Sequence, residues 1–91
     1  MDFRDVTNIF ITVHAGNLGD LDTATYREAL FDVLTELFPN AFPHIDVLDR
    51  VTGTEPDADV WATAPDVSVE IAQRIVRDAR QTAFDRACLA A

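Results

Sequence analysis

The chain has no lysine; all seven of its basic residues are arginine, against sixteen carboxylates and a formal net charge of −9. A field of that sign repels nucleic acid and anionic membranes and attracts basic partners. Direct binding to DNA, RNA or a membrane is therefore not expected. Cysteine is almost absent too. The single Cys88 cannot form an internal disulfide, and its place near the end of a helical pattern suits a small core or surface residue better than a nucleophile. No apolar run is long enough to span a bilayer. The opening MDFRDV is acidic and polar, without the apolar stretch of a secretory leader. These absences point to a cytoplasmic setting. Glycine and proline are few, three and four, and there is no repeat, linker or low-complexity segment.

What remains is an ordinary globular composition, 48% hydrophobic and 25% charged, in 91 residues. That length is one domain, 1–91, with a single feasible core. The charge is uneven. Residues 65–91 balance four acids with four arginines, whereas residues 1–64 hold twelve acids and three arginines. The whole excess lies on the first two-thirds of the chain. A GC-rich coding sequence or salt adaptation would give acidity and lysine loss, but neither predicts this asymmetry.

VTNIFITVHA, residues 6–15, alternates as a strand, with Ile9, Ile11 and Val13 on one face and Phe10, Thr12 and His14 on the other. The loop 16–22 follows. A helix begins near 23–25, where Thr25 and Glu28 fit a capping box and Leu21 supplies a hydrophobic contact. Tyr26, Leu30, Val33, Leu34 and Leu37 recur at helical spacing, widened by Phe31 and Phe38. Pro39 and Pro43 end it. Residues 44–52 and 58–64 read as two strands of a hairpin turning at TGTEPD. A last helix starts near Pro65, with Val67, Ile71, Ile75, Ala79 and Ala83 as its buried stripe.

The order β-α-β-β-α predicts an α+β two-layer sandwich. The expected sheet is three-stranded, order 1-3-2, with both helices on one face, a ferredoxin-like arrangement lacking its last strand. Ile45, Val47, Val51, Val60, Ala62 and Ala64 would join the inner face. Asp46, Leu48, Arg50, Asp59, Trp61 and Thr63 would join Phe10 on an open one. Phe10, Leu48 and Trp61 are expected to cluster there, rimmed by carboxylates, as an interface.

No constellation points to catalysis, a metal or a cofactor, and the protein is not expected to be an enzyme. His14 and His44 fall at opposite ends of parallel strands, too far apart to share a metal. HAGNLGDLD lacks the glycine pattern and lysine of a phosphate loop. Asp20 and Asp22 suit a helix N-terminus instead. On the last helix, Glu70–Arg74 and Arg74–Asp78 are spaced for i,i+4 pairs on a solvated face. The expected site is the partner-binding set Phe10, Asp46, Leu48, Asp49, Glu55, Asp57, Asp59 and Trp61. Like charges crowded on a hairpin do not help its strands, so neutralising them should keep or raise stability. The expected function is a small acidic binder or inhibitor docking on a basic, nucleic-acid-binding protein. By size and charge, not by sequence, this is the kind of DNA mimic found among phage anti-defence and anti-CRISPR proteins. The competing expectation is a homodimeric interaction domain whose acidity is compositional; a small enzyme comes third.

Overall fold

A computed structural model of the chain describes residues 3–49, 51–62 and 69–90. Strand β1 spans Val6–His14, a 3-10 turn spans Ala15–Leu18 and helix α1 spans Thr23–Leu37. Strands β2, Phe42–Leu48, and β3, Asp59–Ala62, follow, and helix α2 covers Val69–Ala90. The expected order of elements is present, and the fold is α+β. The order of the strands is not the expected one. The sheet runs β2-β1-β3, with β1 central, parallel to β2 and antiparallel to β3. The hairpin between β2 and β3 does not exist, and the ferredoxin-like arrangement falls with it, since β1 and β2 are direct neighbours rather than split.

The reason lies in the strands. Val6, Ile9, Ile11 and Val13 of β1 are essentially inaccessible, which suits a central strand. Proline lacks a ladder donor and belongs on an edge, and Pro43 lies inside β2. Strand β3 has four residues, the short kind tolerated at an edge. The 49–58 connection must therefore cross the end of β1, and it is fastened there. The Gly16 amide donates to the Val51 carbonyl at 2.9 Å. The Asn17 side chain pairs with Gly53 both ways, donating to its carbonyl at 2.7 Å and accepting from its amide at 3.1 Å. Gly53 has φ +145°, and a Cβ on Gly16 would lie 2.7 Å from the Val51 carbonyl oxygen. Both glycines answer to this crossing.

Asp22, not Thr25, caps α1, its carboxylate accepting the Thr25 amide at 3.1 Å and hydroxyl at 2.9 Å. Tyr26, Leu30, Val33, Leu34 and Phe38 are buried, whereas Leu37 and Phe31 are exposed. In α2 the buried stripe is Ala72, Val76, Ala79, Ala83 and Ala87. Ala79 and Ala83 are buried as expected, but in the first turns burial falls one residue on, at Ala72 and Val76, with Ile71 exposed and Ile75 only partly buried; Val67 lies outside the described residues. The stripe sets small side chains among the large ones of α1 in one core.

On the inner face Val60 is buried and Ile45, Val47 and Ala62 pack partly against the core. Val51 does not join them; it lies beyond β2 and is exposed. Ala64, Arg50 and Thr63 lie outside the described residues. The shortest dimension of the fold is 17 Å, room for one helix layer on one sheet. Among the described residues nothing covers the second face of the sheet.

Candidate functional site: the open face of the sheet

Strand alternation places Phe10, Asp46, Leu48, Asp59 and Trp61 on this uncovered face, and all five are exposed. The register decides which of them meet. Asn8 lies between Phe42 and Trp61, and Phe10 between His44 and Asp59. Phe10 and Trp61 come together, with ring centroids 5.9 Å apart. Leu48 does not join them. It pairs with His14, four positions along β2 from His44, about 13 Å away at strand spacing. The expected Phe10–Leu48–Trp61 cluster is thus replaced by Trp61, Phe10, His44 and Phe42. His44 stacks on Phe10 with centroids 4.3 Å apart and planes 7° from parallel, and Phe42 lies 4.9 Å beyond. Asn8 fixes the stack. Its Nδ2 donates to the Thr7 hydroxyl at 3.4 Å, and its Oδ1 lies 3.0 Å from His44 Nε2. With Oδ1 as acceptor, His44 carries its proton on Nε2. His44 and Phe42 belong to the site because β2 starts at residue 42, earlier than its Pro43 suggested.

A depression of about 970 Å³ extends from this face around the β2 edge to Arg27 and Phe31 of α1. Phe10, His44, Asp46 and Asp59 line its sheet side. The volume falls in the range of ligand pockets, but it lies open along the sheet rather than enclosing its contents.

The five carboxylates of the connection and its flanking strands divide into two groups. Asp46, Asp49 and Asp59 are exposed and make no ion pair among the described residues. Asp57 pairs with Arg77 on α2 at 2.6 Å, both side chains being 61% exposed. Glu55 points inward. Its carboxylate takes a hydrogen bond from the His14 amide at 3.0 Å and an ion pair from Arg80. Arg80 also donates to the Pro56 carbonyl at 2.9 Å. The Glu55 and Arg80 side chains are only 20% and 13% exposed. Glu55 is a clamp that holds the connection to β1 and α2. Charge counting along the sequence could not separate it from its exposed neighbours, because its partner is 25 residues away.

Arg77, Arg80 and Arg86 of α2 therefore reach to other elements rather than along their own helix. Arg86 holds Glu36 of α1 through both oxygens at 3.1 and 3.0 Å, and these bonds lower the Glu36 pKa below its usual value. Neither Glu70–Arg74 nor Arg74–Asp78 forms a bridge among the described residues. His14 and His44 end up four rows apart, as expected from parallel pairing. Asp20 is exposed and Cys88 is a surface thiol. No helix of the described residues is long and apolar enough to cross a membrane.

Tyr26 lies beside the clamp, its hydroxyl 3.5 Å from the Arg80 carbonyl. Burial, reinforced by the Glu55 charge and opposed by Arg80, pushes its pKa up to about 12. A folded pKa above the unfolded one means stability that is complete below pH 10 and is lost as pH rises toward 12. With no lysine in the chain, Tyr26 is the only side chain expected to titrate in that window. Wild-type protein should lose roughly 1–2 kcal/mol across it, allowing for partial solvation. Tyr26→Phe should lose much less, as read by denaturant unfolding at each pH. Equal losses would contradict this assignment.

Comparison with protein-family models, with curated proteins and with solved structures returns no match.

Proposed function

We propose that the protein is a non-enzymatic binder that docks the open face of its sheet on a basic protein surface. The observation that supports this is the uncovered face itself. Trp61 and Phe42 are 59% and 58% exposed, contiguous with Phe10 and His44, and bordered by Asp46 and Asp59. A contiguous aromatic patch rimmed by charge is the composition of an interface. Its carboxylates, within a chain of net −9, select a basic counterpart and speed its approach. A nucleic-acid-binding protein offers such a surface, so the inhibitor or DNA-mimic role, as in phage anti-defence proteins, is the finer form of this proposal. Pairing of two copies through the same face would oppose carboxylate to carboxylate, which disfavours the homodimer at low salt.

The test neutralises the exposed carboxylates and spares the clamp. With protamine as the basic probe, Asp46→Asn, Asp49→Asn and Asp59→Asn together should weaken binding about ten-fold or more at low salt and flatten its salt dependence. Thermal stability should stay the same or rise, because none of the three is paired among the described residues. An unchanged affinity and salt slope would make the acidity compositional and remove the proposal's support.

A further inference from the structure

The centre of the open face has a chemistry more specific than negative charge. Phe10 lies on the middle strand, backed on one side by the stacked His44 ring and flanked on the other by Trp61, whose plane is tilted 59° to it. Asp59 is the cross-strand neighbour of Phe10. It also precedes Trp61 by two residues, on the same face of β3. Directly opposed residues have Cβ atoms about 5 Å apart, so one carboxylate stands within side-chain reach of both rings. Asp59 has no ion-pair partner among the described residues. Phe10 and Trp61 remain 41% and 59% exposed, leaving ring surface free to be covered.

Two exposed rings beside a free carboxylate are not an equal match for every cation. An ammonium is a compact, strongly hydrated charge that gains from carboxylates wherever they are. A guanidinium is flat and weakly hydrated; it stacks on an aromatic face while its fork of N–H groups engages a carboxylate at the ring's edge. We infer that Trp61, Phe10 and Asp59 form a receptor for a guanidinium group, and that the basic partner is anchored by an arginine rather than a lysine. This rests on the docking reading above and adds to it which cation is recognised, and where. Asp46 and Asp49 contribute field to any cation, whereas Asp59 with the rings contributes the choice. The His44–Phe10 stack, held by Asn8, keeps the Phe10 ring in place before the partner arrives, which lowers the cost of binding.

The experiment compares octa-arginine with octa-lysine at about 0.15 M salt, where long-range attraction is largely screened. Trp61, the chain's one tryptophan, is the fluorescent reporter. Octa-arginine should bind about ten-fold more tightly than octa-lysine and change the Trp61 emission. Asp59→Asn and Phe10→Ala, each checked for an intact fold by circular dichroism, should bring the ratio below about three-fold. Asp49→Asn should weaken both peptides alike and leave the ratio unchanged. Equal binding of the two peptides would overturn the guanidinium receptor while leaving the docking reading standing. A preference that survives both Asp59→Asn and Phe10→Ala would overturn the assignment to these residues. Absence of saturable binding by either peptide would overturn the receptor and the docking reading together.

Discussion

Glu55→Ala should destabilise the protein by about 2–3 kcal/mol, although the change removes one negative charge from a chain carrying a large excess of them. The Glu55 carboxylate is the counter-charge of a largely buried Arg80 and the acceptor of the His14 amide. Its removal leaves a guanidinium without its partner carboxylate and a strand-end N–H without an acceptor. Fully buried pairs cost about 3–5 kcal/mol when one partner is lost, and the residual exposure of this pair brings the figure down. In a domain of this length the melting temperature should fall by roughly 10–20 °C. Asp57→Ala removes a carboxylate two residues away, from a pair that is mostly solvated, and should cost less than about 1 kcal/mol. The contrast between these neighbours is the prediction. Thermal or urea unfolding reads it, and similar losses for the two variants would contradict the clamp. On this account neutralising the segment should hold or raise stability at Asp59, change it little at Asp57 and lower it at Glu55.

Trp61→Ala should leave the melting temperature nearly unchanged and weaken binding to the basic partner by about 2 kcal/mol or more, or roughly thirty-fold. The two halves of this outcome come from one observation. A side chain that is 59% exposed on a sheet face without a covering layer has little core packing to lose. Its backbone partners, the Thr7 hydroxyl included, bond to the main chain and survive truncation. An aromatic at the centre of an interface is where binding energy concentrates. Loss of fold in Trp61→Ala would show that the face is covered in the native molecule. Unchanged binding with an intact fold would show that the partner contacts another surface.

The faces of the strands were legible in the sequence, because period-two alternation is a strong local signal and β1 obeys it from Ile9 to Val13. The exposure of Phe10 and Trp61 follows from that alternation alone. Strand order was not legible in the same way. Adjacent strands joined by a glycine- and proline-containing segment usually form a hairpin, and what prevents it here is tertiary. The connection is tied across the end of β1 by Gly16, Asn17 and the His14 amide, which are far from it in sequence. Pro43 and the brevity of β3 were the available signals for two edge strands around β1. Ala79 and Ala83 of α2 were legible, but the phase of its first turns was obscured because Ile71 and Ile75 outweigh Ala72 on any hydrophobicity count. Burial there follows fit against the large side chains of α1, which Ala72, Ala79, Ala83 and Ala87 provide. The site shifted for the same reason as the sheet. With β1 central, Phe10 gains His44 and Phe42 as neighbours and loses Leu48.

The central claim is that the uncovered sheet face, and not the helical side, meets a basic partner. Heteronuclear NMR of the labelled protein titrated with octa-arginine tests it most directly. The account predicts progressive shifts of the Trp61 indole N–H and of the Phe10, His44, Asp46 and Asp59 signals, with Arg74, Asp78 and Asp85 on α2 left unmoved. Shifts confined to the helices, with the Trp61 indole unchanged at saturation, would contradict it.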